Sequence, residues 1–242
     1  AGGGGASRTG GMVTASSAGT SDVAPSPSGP AGSASSDVVI STGLEGGGYW
    51  HAGNRLQAAA SGVGLTIEAQ RSTGSLSNLR ELAKAEGPVS LAFTQADALQ
   101  YFLNGKPDIA ADIETLESIG EECVFVISGS KSGIKTDKDM QEAERLQLGI
   151  KSPNSGIRVT FDHMASLVPE FGNVTVHYGD TVELINVLVH PKSNVSKAFM
   201  VVQKPGAQSP EIVMVVNNPD KYRFVKLSDD RLTLPGPGGE PA

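Results

Sequence analysis

The feature that most constrains this chain is an alternation that runs through most of its length. Short apolar or β-branched runs are each followed by a glycine- or hydroxyl-bearing turn and then by residues at helical spacing. DVVIST (37–42) ends in the glycines of 43–48, and YWHAGNRLQAAASG then carries small and apolar residues at helical positions until Gly62 and Gly64 stop it. LTIEAQ (65–70) is a second strand, and Thr73-Gly74-Ser75 turns into a helix through Asn78, Leu79 and Leu82. VSLAFTQ (89–95) is a third, followed by a helix over about 96–103. Strands joined by helices through short loops run parallel, because a parallel return needs a crossover, and helices then cover both sheet faces.

A longer strand-like stretch, LESIGEECVFVISG (116–129), comes next and is the natural place for the chain to cross into a second lobe. There the alternation restarts. LQLGI, VTVHY and KAFMVVQ read as strands, with helices over 156–167 and 180–188, and a helix near Ser209 and the strand YRFVKL complete the run. The expected division is lobe 1 over 37–125 and lobe 2 over 126–230, with a Pro/Gly-rich end over 231–242. Residues 1–36 are Gly, Ser, Ala and Pro with few others. Such a stretch buries too little apolar area to offset its ordering entropy, so it reads as a flexible tether. The chain opens AGGGGASRTGG, with no initiator methionine and no apolar signal run, and the expectation is a removed targeting segment or a late start.

Composition excludes several classes. At 242 residues, with 38% hydrophobic and 19% charged residues, the chain can bury a core and stay soluble. A net charge of −7 is wrong for a nucleic-acid binder, which needs a basic face, although a local site can still be positive. No apolar run approaches membrane-spanning length. The single cysteine, Cys123, sits in an apolar run and is expected to be a buried structural thiol.

The loops after the first three strands, T-G-L-E-G-G-G-Y, S-T-G-S-L-S-N and T-Q-A-D, lie where open α/β folds bind ligands. Each also starts a helix, so unpaired backbone N–H groups and the positive helix end converge there. Gly46, Gly47 and Gly48 allow close backbone approach, Thr42, Thr73 and Ser75 offer hydroxyls, and Gln95 can donate and accept. Tyr49 presents a ring to the same place. Arg71, at a strand end, is a candidate clamp because guanidinium pairs with carboxylate in a bidentate fork. Arg158, in the first turn of a helix, is more simply a solvated residue. Charge-assisted hydrogen bonds of about 1.5–3 kcal/mol each and helix ends of about 0.3–1 kcal/mol cover much of the roughly 8 kcal/mol of micromolar binding. Thr73 and Ser75 are equally good helix caps, and the glycines are equally good turn formers.

Catalytic alternatives find little support. The glycines after the first strand run G-x-x-G-G-G rather than the G-x-G-x-x-G of a dinucleotide turn, although Glu68 stands at a suitable distance. Gly105-Lys106 is followed by proline and is no P-loop, and Lys131 stands where a nucleophile elbow would need serine. His51, His163, His177 and His190 are scattered, and Glu121-Glu122 and Asp229-Asp230 read as solvated pairs. The expectation is no catalytic residue, no metal and no cofactor.

Taken in order, STGLEGGGYWHAGNRL, STGSLSNLRELAKAEG, LAFTQADALQYFLNG, GDTVELINVL, KAFMVVQKPG and NNPDKYRFVKL resemble the TAXI group of solute receptors of TRAP transporters, over about residues 37–230. The resemblance implies a two-lobed type II periplasmic-binding-protein fold, with a hinge and a ligand trapped between the lobes. It implies a small carboxylate or an amino acid such as glutamate as ligand, and the membrane components of a TRAP transporter as partners. It further implies a monomer in the periplasm or otherwise outside the cytoplasm, with the tether as a possible link to the membrane. Thr42, Gly47, Tyr49, Thr73, Gly74, Ser75 and Gln95 match its first-lobe motifs. In the second lobe, K-S-P-N-S-G-I-R replaces a Gly-Ser-Gly-like turn, which makes Asn154, Ser155 and Gly156 candidates, with Gln203 at the end of KAFMVVQ. Such receptors return to the first lobe after the second. This chain ends LTLPGPGGEPA without that return, so a fragment or a shortened relative is expected. An ABC-type receptor or a sensor domain is the alternative reading, and a nucleotide-dependent enzyme a more distant one.

Overall fold

The first three strands, β1 (Val38–Ser41), β2 (Ile67–Gln70) and β3 (Val89–Ala92), form one parallel sheet in the order β2-β1-β3. They alternate with α1 (Gly48–Ser61), α2 (Ser75–Leu82) and α3 (Ala96–Asn104), as the periodicity predicts. The computed structural model describes residues 38–189 and 196–232. The expected tether, His190 and most of the Pro/Gly-rich end therefore lie outside the described residues.

The second sheet has five strands in the order β6-β5-β7-β4-β8: β4 (Cys123–Gly129), β5 (Leu146–Ile150), β6 (Thr175–Tyr178), β7 (Ser196–Gln203) and β8 (Tyr222–Phe224). β5 pairs in parallel with β6 and β7, whereas β4 runs antiparallel to both β7 and β8. α4 (Asp137–Glu142), α5 (Gly156–Leu167), α6 (Thr181–Val189) and α7 (Pro210–Asn217) accompany it. The architecture is thus mixed α/β with two helix-covered sheets.

The continuous apolar text of β4 and β7 follows from burial on both faces. Successive residues point to opposite sides, so Val126, Ala198 and Met200 enter one core cluster with Leu148, Phe161, Met164 and Phe171. Ile127, Phe199 and Val201 enter the other with Leu184, Leu188, Val215 and Tyr222. The small sheet is thinner. Its cluster consists of Leu76, Leu79, Ala98, Phe102 and, from α5, Val159. A side chain from the second half of the chain therefore completes the core of the first.

Two expectations need correction. Cys123 is exposed rather than a buried thiol, because β4 enters the core only from Val126 onward. The strand expected from Leu116 begins only at Cys123, and Leu116 and Ile119 before it are exposed. α4 went unread in the sequence although it carries a capping box: Thr136 accepts from the Asp139 N–H while Asp139 accepts from the Thr136 N–H. Its Asp137, 3% exposed, accepts from the backbone N–H groups of Ser228 and Asp229, both at 2.6 Å, and so anchors the chain after β8.

Gly129, where β4 ends, sets how closely α6 lies on the sheet, since a Cβ there would overlap the backbone oxygen of Leu188. Backbone cannot yield as a side chain can. Gly129→Ala is expected to destabilise the fold by about 1–3 kcal/mol, read as a lower midpoint in denaturant. Gly172→Ala, which meets open space, leaves the midpoint unchanged.

Candidate functional site

Parallel strands put the starts of the following helices at one sheet edge, and a buried carboxamide holds that edge together. Asn78, fully buried in α2, accepts from Ser41 Oγ at 2.7 Å at the end of β1. Its amide nitrogen donates to the carbonyl oxygens of Thr42 and Phe93, the residues just after β1 and β3. The asparagine of the T-G-S-x-x-N run is thus a clamp between strand ends and helix. Thr42 lies in the same layer: it is buried, and its hydroxyl donates to the Gln70 carbonyl at 2.8 Å.

Above this layer the helix starts gather. Gly47, Gly74 and Gln95 are the N-cap positions of α1, α2 and α3, and none caps its helix with a side-chain hydrogen bond. First-turn N–H groups consequently lack side-chain acceptors from the cap. Gly74 has φ +125°, a conformation that favours glycine, and a Cβ on it would lie 3.0 Å from the Cα of Ser155. Ser75, 1% exposed, accepts from the Gln95 N–H at 3.3 Å. Ser155 caps α5, accepting from the Arg158 N–H and donating to the Ser152 carbonyl at 2.7 Å. Gly156 lies directly beneath the Gln95 carboxamide, whose Oε1 would overlap a Cβ at that position.

The starts of α2, α3 and α5 therefore meet along one seam, and other contacts fasten it. Thr160 donates to Asp97 Oδ2 at 2.6 Å, Gln95 Nε2 approaches Thr160 at 3.5 Å, and Arg80 donates to Asn154 Oδ1 at 2.6 Å. Beside it Tyr49 stacks on Phe93 with ring centroids 5.6 Å apart and donates to Glu122 Oε2 at 3.3 Å. Burial first, and the Glu122 carboxylate second, push the Tyr49 hydroxyl above its usual range, so it stays protonated. Glu122 is open to solvent on one side, yet loss of water on the other pushes its carboxyl up and the charge of Asp97 adds to the rise. The seam thus combines helix starts that favour an anion with two carboxylates that favour a cation.

Of the expected ligand residues, Tyr49, Gly74, Ser75, Gln95, Asn154, Ser155 and Gly156 come together. Gly46, with φ +76°, and Gly48 meet open space where α1 begins. Thr73 is exposed at the turn into α2. Arg71 is 63% exposed and pairs with Glu45 at 3.3 Å. Gln203 ends β7 opposite Cys123. Asp97, Glu122 and Thr160 were missed as site residues. Asp97 stood in the Q-x-D run, but its partner lies in the other half of the chain, where local sequence gives no signal. Lys151 and Glu211 were also missed. The Glu211 carboxylate, 3% exposed, pairs with Lys151 at 2.5 Å where β5 ends. Burial pushes that carboxyl up, but the Lys151 ammonium outweighs it and holds it below the usual range. Among the described residues, no three His, Cys, Asp or Glu side chains gather as a metal-binding set.

Asn78→Ala removes the partner of the Ser41 hydroxyl and of the Phe93 carbonyl, and leaves the buried Thr42 carbonyl only the longer contact from Ser72 Oγ at 3.4 Å. The expected cost is about 2–4 kcal/mol, read by denaturant titration. Asn78→Asp, which keeps the acceptor but loses the donor pair, is expected to be nearly as costly.

Comparison with known proteins adds resemblances of layout. No protein-family model and no curated protein matches the chain. Among solved structures it is similar to the substrate-binding domain of a molybdenum ABC transporter from Clostridium difficile, at 15% identity and TM-score 0.42, over 81% of this chain and 79% of that one. It is similar to the periplasmic aliphatic sulphonate binding protein of Escherichia coli, at 14% identity and TM-score 0.46, over 78% of this chain and 56% of that one. A third is the ligand-binding component of an ABC-type import system from Staphylococcus aureus, at 12% identity and TM-score 0.47, over 78% of this chain and 60% of that one. The chain thus spans less than two thirds of the second and third of these proteins, and the likeness is loose in every case.

Proposed function

We propose that this chain is the ligand-binding part of an extracytoplasmic solute-binding protein, which captures a small carboxylate or an amino acid and catalyses no reaction. One observation carries the reading: the starts of α2 and α3 from one half of the chain and of α5 from the other meet along a single seam through Gly74, Ser75, Gln95, Ser155 and Gly156. Amides from both halves can then serve one acceptor group, which is what capture between two lobes requires. The expected division near residue 125 gives those lobes, with the segment near residues 118–130 as the hinge.

The carboxylates at the seam favour one ligand class over another. Asp97 and Glu122 suit an ammonium group, and helix starts suit a carboxylate, so an α-amino acid satisfies both where a plain dicarboxylate satisfies only one. Glutamate fits this description. Delivery to the membrane components of a TRAP-type transporter is the partner reading that the sequence motifs support. Among the described residues, no helix is long and apolar enough to cross a membrane. An ABC-type or sensory receptor would use the same seam.

Isothermal titration with glutamate, other amino acids and dicarboxylates tests the reading. Gln95→Ala, within the seam, is expected to weaken binding of the preferred solute about tenfold, equivalent to about 1.4 kcal/mol, without lowering the unfolding midpoint, whereas Thr73→Ala, at the exposed turn into α2, has the smaller effect. Unchanged affinity in Gln95→Ala would remove the seam as the site.

A further inference from the structure

The residue that follows the middle strand of each parallel trio has the same place in both halves. β1 lies between β2 and β3, and β5 lies between β6 and β7. Thr42 comes directly after β1, and Lys151 directly after β5. In open α/β sheets the strand order reverses at such a point, and ligands bind in the crevice outside the carboxyl ends there. In the larger sheet α5 joins the core cluster on one face through Phe161 and Met164, while α6 and α7 join the other through Leu184 and Val215. Lys151 stands at the carboxyl edge between those faces. It also opens the turn over 151–155, whose far end meets Gly74 across the seam and whose Asn154 accepts from Arg80.

Lys151 is held in that place. Its ammonium donates at 2.5 Å to Glu211 Oε1, in the first turn of α7. Thr181, which begins α6, donates to the same oxygen at 3.3 Å. The Glu211 side chain is 3% exposed, whereas that of Lys151 keeps 26% of its surface open. An ammonium has three N–H donors, and Glu211 is its one hydrogen-bond partner among the described residues, so two donors remain. Burying a carboxylate under an ammonium carries a desolvation cost that an apolar pair avoids, so stability alone is a weak reason for it. What the pair does achieve is to fix the end of a flexible four-carbon stem.

We propose that Lys151 is the cationic ligand contact of the second half of the chain, taking a carboxylate of the solute distal to its amino group, with Glu211 as the residue that positions it. The inference rests on the seam being the solute site. There Asp97 and Glu122 suit the ammonium group and the helix starts suit the adjoining carboxylate, which leaves the distal carboxylate for Lys151. Glutamate carries such a group. Glutamine matches it in size and lacks only the charge, so Lys151 sets the preference of one over the other.

Calorimetric titration of the full chain with glutamate and with glutamine tests it. The wild type is expected to bind glutamate at least about tenfold more tightly than glutamine. Lys151→Met alone strands the buried Glu211 carboxylate, so the informative variant combines Lys151→Met with Glu211→Gln and replaces the pair by neutral groups of similar size. It is expected to keep the wild-type circular dichroism and to lose about tenfold or more in glutamate affinity, far more than in glutamine affinity, so that the preference disappears. Glu211→Gln alone, which still accepts from Lys151 but removes the competing charge, keeps or increases the preference. A wild type that binds neither solute overturns the seam reading and this inference with it. A wild type that binds both equally, a double variant that still prefers glutamate, or loss of the preference in Glu211→Gln overturns this inference alone.

Discussion

Asn78 is the point on which the arrangement turns. A parallel sheet delivers several helix starts to one edge, but it does not fix their spacing. The Asn78 carboxamide, without solvent access, ties the end of β1 and the residue after β3 to α2 through three hydrogen bonds. A buried amide with its bonds satisfied specifies position, and one left unsatisfied is costly. Because α2 is set in this way, the N-terminal turn at Gly74 and Ser75 stands at a fixed distance from Gln95, and the seam with α5 has a defined floor.

Packing across the seam uses apolar and polar contacts together. Val159 of α5 enters the cluster of Leu76, Leu79, Ala98 and Phe102, while on the same helix Thr160 meets Asp97. Gly156 and Gly74 allow backbone to approach where any side chain would intrude. A domain movement at this seam has to withdraw Val159 from an apolar cluster of about 1.5–3 kcal/mol worth of burial. Ligand contacts made only when the halves are together would shift that equilibrium, and contacts made equally in both states would not.

Much of the fold was legible in the sequence because its signals are local. Hydrophobic runs, glycine punctuation and helical spacing marked every described strand and every described α-helix except α4, whose Thr136–Asp139 capping pair was itself a readable signal. Strand direction was not legible: the period of a strand is the same whether its neighbour runs parallel or antiparallel, so β4 and β8 could not be placed. Cys123 looked buried because it adjoins an apolar run, but burial depends on where the strand meets its helices. At the site, Gly74 and Gly156, expected for their backbone, came together with Ser75 and Gln95, expected for their side chains, because helix starts follow strand ends. Other residues expected for their side chains fared differently. The Thr42 hydroxyl serves Gln70 and the Arg71 guanidinium serves Glu45, since nearby acceptors compete for any donor.

Amide hydrogen exchange with and without a saturating amino acid measures the claim at its centre, that helix starts from both halves serve one ligand. The account predicts slower exchange in two segments, 74–78 and 154–158, that rises with the same dependence on solute concentration. Protection confined to one of them, or found only elsewhere in the chain, would contradict it.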